Sequence, residues 1–337
     1  MSLTARALYI LPMVALVAGC SLPLRTGPIS SSDAWVRHDT LSEETSRVTW
    51  SGVKTHGLGV GFVRAEDRAT WPYDRPSTSR FLIEEGVPFT TFLILSTGHD
   101  QPYPVLISVL VDYRQVEFRL DGKKGLLHYL EIDPGAEVNT EIPMEVPIDG
   151  LGWHDVTVVV FPDPEFQPTD RQQRLPPKLG AFGRRTVVCV ADCAPVRSAL
   201  PEPMVGTPGA MGGPKALPLV PGDRPPKERL LTAITARAGA AVDLELWADN
   251  QRDIALEYVV VPFLNYRQVS YAGSNRLLFH MPPDSSLFVP GRVQVPNREG
   301  VHEFAFLYVS DPFLAIEAVT DPFVQSDMRA GIIAEKP

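Results

Sequence analysis

Two closely spaced cysteines, seven histidines and one serine–lysine pair are the residues of this chain whose types and spacing could do chemistry. Cys189 and Cys193 flank three residues. In a continuous strand their α-carbons would stand about 13 Å apart, beyond the roughly 5.5 Å that a disulfide wants. A bridge therefore requires the chain to turn at Ala191-Asp192, and Asp192 and Pro195 suit such a turn. The alternatives are two reduced thiols, or a thiol pair with redox or metal chemistry. The spacing is not Cys-x-x-Cys, and no βαβ pattern surrounds it. The histidines are His38, His56, His99, His128, His154, His280 and His302. None pairs with another at ligand spacing, and His302-Glu303 lacks the second histidine of a zinc-protease helix. Ser51-Gly52-Val53-Lys54 spells Ser-x-x-Lys, but that chemistry needs a helix start and companion motifs, and both are missing. Gly57-Leu58-Gly59-Val60-Gly61 lacks the strand-to-helix setting of a nucleotide loop. These failures of context predict no catalytic residues, no metal ligands, no cofactor and no enzyme.

A repeated triplet has two readings. Tyr113-Arg114-Gln115 recurs as Tyr266-Arg267-Gln268. Tyrosine and arginine are favoured at interfaces, so Tyr113, Arg114, Tyr266 and Arg267 are candidate contact residues. The structural alternative has each triplet alternating across a strand, with tyrosine inward and arginine in solvent.

The N-terminus carries a different chemistry. Arg6 precedes an apolar run from Ala7 to Leu16, and Val17-Ala18-Gly19-Cys20 closes it with small residues before a cysteine. The segment resembles the lipobox of bacterial lipoproteins. That resemblance implies cleavage after Gly19, lipid on Cys20 and a protein tethered to a membrane outside the cytoplasm. Ser21 follows with no acidic retention signal, which points to the outer membrane or cell surface. No later apolar run approaches the ~20 residues of a membrane helix, so attachment would rest on the lipid.

Composition narrows the partners. The formal net charge is -9, which argues against nucleic acid and against electrostatic adhesion to anionic lipid. The 33 prolines break helix interiors and central strands, and they punctuate short β-rich runs here. Predicted strands include Val60–Val63, Phe81–Ile83, Phe89–Leu95, one continuous strand Val105–Phe118, Leu126–Ile132, Val138–Val146 and Val156–Phe161. Asp121-Gly122 and Asp133-Pro134-Gly135 mark turns. Thr40 to Glu44 could start one short helix.

The chain also repeats itself. Gly86 to Val116 aligns without a gap on Gly239 to Val269. Gly152-Trp153-His154 then matches Gly300-Val301-His302, and Asp163-Pro164 matches Asp311-Pro312. Each copy offers about seven short strands, which predicts an all-β protein of two tandem immunoglobulin-like β-sandwiches. The expected organisation is a signal peptide at 1–19, a lipid-anchored tether at 20–45, a first sandwich at 46–193, a Pro/Gly-rich linker at 194–229 and a second sandwich at 230–337. The linker composition is semi-rigid; it can extend or drape along one domain.

The turn order resembles the Ig-like modules of bacterial surface proteins of the CARDB type. The carriers are Gly86-Val87-Pro88, Asp133-Pro134-Gly135-Ala136-Glu137 and Gly152-Trp153-His154. The resemblance implies a fold and transfers no functional residue. Two functions follow as expectations. The first is a non-catalytic membrane-anchored lipoprotein, a spacer and interaction module for other cell-envelope proteins. The second is an accessory protein capturing a saccharide or peptide ligand beside a transporter or enzyme. Exposed, coplanar tryptophans among Trp35, Trp50, Trp71, Trp153 and Trp247 would favour capture; buried ones favour the first.

Overall fold

Alternating apolar residues decide which face of each strand is buried, and here many strands are apolar on both faces. The computed structural model describes residues 35–49, 57–68, 80–135, 138–175, 179–193, 200–210, 216–312, 314 and 324–336. Regular structure among them is strand, with two short 3-10 turns. The protein is all-β, with two immunoglobulin-like sandwiches.

The first sandwich packs two sheets. One carries β3 (Leu58–Val63), β5 (Phe89–Thr97), β11 (Val138–Val146), β8 (Phe118–Leu120) and β9 (Lys123–Gly125), with β2 (Ser46–Thr49) beside β11. The other carries β1 (Val36–Arg37), β10 (His128–Ile132), β6 (Tyr103–Val111), β12 (Gly152–Pro162), β13 (Ala181–Val190) and β4 (Arg80–Ile83), with β7 (Arg114–Val116) on β6. Leu93 and Ile142 of the first sheet meet Ile107, Val109 and Val158 of the second in the core between them.

The second sandwich repeats this plan. Its outer sheet runs β16 (Leu217–Leu219), β18 (Ala241–Asn250), β22 (Ser285–Gln294) and β15 (Thr207–Pro208). Its inner sheet holds β14 (Met204–Val205), β21 (Leu277–Met281), β19 (Leu256–Leu264), β23 (Gly300–Ser310), β25 (Ala330–Glu335) and β17 (Ala233–Arg237). The short β20 (Arg267–Gln268) pairs with β19, and β24 (Val324–Ser326) with β23. The registers agree. Val156 faces Val111 as Phe304 faces Leu264. Phe89 faces Val146 as Val242 faces Val293. Arg80 lies parallel to Val187 as Ala233 lies parallel to Gly331.

Of the two courses open to the Pro-rich segment the draped one is found, and three expectations change: the repeat boundaries, one strand and one helix. The described parts of the Pro-rich segment 194–229 drape along the second sandwich: β14, β15 and β16 come from it and pair as β1, β2 and β3 do in the first. The second repeat thus begins near Met204 rather than at residue 230, and the first takes in β1 from the 20–45 segment. These edge strands of two or three residues are too short to show a period. Val105–Phe118 is broken into β6, β7 and the start of β8, and Asp112 (φ 48°) and Tyr113 (φ 65°) make a left-handed two-residue turn between β6 and β7. Thr40 to Glu44 is a turn rather than a helix: the Ser42 amide and hydroxyl both bond to Asp121 instead of capping.

The inner sheets of the two sandwiches are one hydrogen-bonded sheet, because β24 bridges β13 and β23. That sheet doubles back so its two halves pack face to face. Leu106, Leu110, Val159 and Phe161 of the first half share a third core with Val259, Val261, Phe263 and Leu307 of the second. This explains why nearly every residue of β12 and β23 is buried.

Candidate functional site

The two tyrosines of the repeated triplets meet at the junction between the halves. Tyr113 and Tyr266 are both fully buried there, each second in a left-handed turn that begins at Asp112 or Asn265. Phe161 stands between the halves, with its ring centroid 5.5 Å from Phe263 and 5.1 Å from Tyr266. Arg114 and Arg267 point to solvent. The two tyrosines are therefore contact residues within the chain, and the strand alternation expected for the triplets is replaced by the turn.

Gln115 and Gln268 were passed over in the sequence, and they sit at the centre. The Gln268 amide donates to Gln115 Oε1 at 2.8 Å, and the Gln115 amide donates to Gln268 Oε1 at 2.8 Å. Their side-chain amides donate to the Tyr113 and Tyr266 carbonyls. Arg185 donates to the Asp311 carbonyl at 2.9 Å, and its counterpart Arg329 donates to the Asp163 carbonyl at 3.2 Å. Both aspartates hold positive φ at matching turns. The halves thus meet as a quasi-twofold pair.

The ionisable groups here are buried and matched. Asp155 accepts from Tyr113, from Trp153 Nε1 at 3.3 Å and from Arg185 at 3.2 Å. Burial, and then the Asp155 charge, push the Tyr113 hydroxyl well above its ordinary value. In the second half Glu303 takes the matching place, and Arg174 clasps it through two bonds of 2.7 and 2.8 Å. Arg174 arrives from the first half on the arm 162–175, so that stretch is an inter-half strut. Gly331 makes room for it: a Cβ there would lie 2.7 Å from the guanidinium.

His154 and His302 occupy equivalent places and differ in charge. His154 donates from Nδ1 to Asp112 at 2.8 Å and from Nε2 to the Gly150 carbonyl at 3.3 Å, which calls for the imidazolium. The hydrogen bond to Asp112 raises its pKa against the opposing effect of burial. His302 donates from Nε2 to the Arg298 carbonyl and accepts from Asn265 at Nδ1, so it is neutral; burial lowers its pKa. His280 faces Glu257 at 3.5 Å, and His99 stacks on Tyr103. Among the described residues, no three His, Cys, Asp or Glu side chains are grouped as metal ligands.

Cys189 and Cys193 are bridged, with α-carbons 4.9 Å apart. The turn that permits this falls at Ala191, whose φ is 61°. Trp35, Trp153 and Trp247 are buried. Cys20, His56, Trp50, Trp71, Ser51 and Lys54 lie outside the described residues. A groove of about 610 Å³ on the first sandwich is lined by Arg64, Phe81, Phe92, Met144 and Glu145 among others.

The fold and junction define an all-β protein of two quasi-equivalent sandwiches packed back to back. No family model and no curated protein matches the chain. Solved structures are similar to it at low identity. A red sea bream transglutaminase is 10% identical over 85% of this chain and 32% of its own, with a TM-score of 0.23. Escherichia coli alpha-2-macroglobulin activated by porcine elastase is 12% identical over 85% and 22%, with a TM-score of 0.22. Salmonella alpha-2-macroglobulin reacted with methylamine is 12% identical over 83% and 19%, with a TM-score of 0.25. The chain spans a third or less of each of these proteins, and likeness at this level says nothing of activity.

Proposed function

We propose that the protein is an extracytoplasmic lipoprotein, held to the outer membrane or cell surface by lipid on Cys20, that acts as a non-catalytic interaction module for other cell-envelope proteins. The observation that carries the non-catalytic part is the use made of the buried ionisable groups. Asp155, Arg185, Glu303, Arg174 and Arg329 are spent on one another and on backbone carbonyls across the junction. The anchor rests on Val17-Ala18-Gly19-Cys20. Back-to-back packing makes the sandwiches a short, rigid body, so reach from the membrane would come from the tether. Contacts would fall on the exposed loops 98–102 and 251–255, which stand at equivalent ends of the two repeats.

A second reading, ligand capture beside a transporter or enzyme, draws on the groove over Phe81 and Phe92. The burial of Trp35, Trp153 and Trp247 favours the first. The test of the anchor is intact mass and detergent partition. The mature chain should begin at a diacylated Cys20, and Cys20→Ser should accumulate as precursor or soluble protein. An unmodified terminus at another residue overturns it. Cross-linking from intact envelopes should then capture a protein through loops 98–102 or 251–255; a saccharide or peptide bound in the groove instead would establish capture.

A further inference from the structure

Residues 35–49 form a strap over the edge of the first sandwich. Trp35 stacks on Tyr129 at 5.8 Å and meets Tyr266 edge-on across the junction. The Val36 and His38 amides bond to the Leu127 and Tyr129 carbonyls. Arg37 pairs with Glu165 at 2.7 Å. Ser42 and Thr45 bond to Asp121.

Among these ordinary fastenings lies an unusual one. His38 and His128 are both buried, and Nε2 of His38 is 2.9 Å from Nδ1 of His128. Burial keeps the His128 ring neutral, and its Nε2 faces the Phe118 carbonyl at 3.3 Å, so its one proton sits on Nε2 and Nδ1 accepts. His38 therefore donates from Nε2, and burial disfavours a charge on it as well. His38 Nδ1 is left buried with no partner. The second repeat shows that packing does not need this arrangement. The residue in the place of His128 is Leu277, also buried.

We propose that the His38–His128 pair is an acid-sensitive latch: neutral, it fastens residues 35–45 to the first sandwich, and protonation releases them. A proton arriving at His128 Nδ1 takes the site that accepts from His38. A proton arriving at His38 Nδ1 puts a charge in an unpartnered buried position. Charged groups around the pair act in both directions. Asp39 and Asp121 favour a charged His38, and Lys123 opposes it. The Phe118 and Gly125 carbonyls favour a charged His128, while His38 and Lys123 oppose it. Desolvation outweighs the favourable groups at both rings.

The sign follows from linkage. Burial lowers His128 from 6.5 to about 4, so the released form binds protons first as pH falls. Docking is fully favoured above about pH 6.5 and weakens down to about pH 4. If release restores the ordinary value, the docking constant falls about 30-fold at pH 5 from His128 alone. Asp121 acts later. Burial raises its pKa, but the bonds from Ser42 and Thr45 outweigh this and hold it below the ordinary value, so its grip is lost only in stronger acid. On the anchor reading proposed above, release would lengthen the tether by about ten residues, on the order of 30 Å. The latch itself does not depend on that reading.

Hydrogen exchange by mass spectrometry on the chain beginning at Cys20, at pH 7.5 and pH 5 with intrinsic rates corrected, tests the latch without a membrane. Protection across residues 36–45 should fall about 30-fold, while β12 and β23 keep theirs. His38→Gln/His128→Asn should abolish that difference between the two pH values. Equal protection of the strap at both pH values overturns the proposal, as does an unchanged pH response in the double variant. Should the variant fail to fold, NMR titration of the parent chain decides: His128 remaining neutral at pH 5.5 supports the latch, and titration at 6.5 or above refutes it.

Discussion

One side-chain exchange sets the charge of a histidine in this molecule. Asp112 and Asn265 hold the same left-handed turn position, and each accepts the amide of the acidic residue after the histidine. Only Asp112 can also stabilise an imidazolium. Asp112→Asn should therefore convert the His154 site into a copy of the His302 site. The His154 pKa should move from above its ordinary value to below it, read by NMR titration. A raised folded pKa contributes stability that is complete below about 6.5 and is lost as pH rises past the folded value. The variant should thus lose about 1 kcal/mol at pH 6 and little at pH 9, a modest figure because Asp112 is partly open to solvent. The pairing of His154 with His302 was legible in the sequence through the shared Gly-x-His. That one is charged and the other neutral was not, because the deciding residues lie some forty positions earlier, in a turn hidden inside an apolar run.

The elements that carry the junction were the least legible. The repeat was visible in β6, β12, β19 and β23 because long strands with the same turn residues leave a trace. The edge strands β14 to β16 leave none: two or three residues among prolines satisfy no period. The arm 162–175 reads as a polar loop, yet it delivers Arg174 into a fully buried pair with Glu303. The only local signal was a basic residue in a loop rich in Pro and Gln. Arg174→Ala should leave the Glu303 charge buried without its partner and destabilise the protein by about 3–5 kcal/mol. Arg174→Met/Glu303→Met should cost less than that single change, because no uncompensated charge remains. Urea unfolding measures both, and a double variant worse than Arg174→Ala would show that the pair is held for more than charge balance.

At the scale of the whole molecule, the two sandwiches expected in tandem are joined far more closely than a linker would join them. A continuous hydrogen-bonded sheet passes from β13 through β24 to β23. The core around Phe161, Phe263 and Tyr266 draws on both halves. Arg185, Arg329 and Arg174 each reach across to the other half. Separating the halves would expose apolar faces of β6, β12, β19 and β23 and strand buried charges, and both penalties are large beside the few kcal/mol of net stability typical of a domain. Neither half should therefore persist after the other unfolds. Calorimetry should show one transition with equal calorimetric and van't Hoff enthalpies, as for a single cooperative unit. Two resolved transitions would mean that each outer sandwich core holds its own sheets without the junction. The quasi-twofold contacts would then be a docking of finished domains rather than part of the fold.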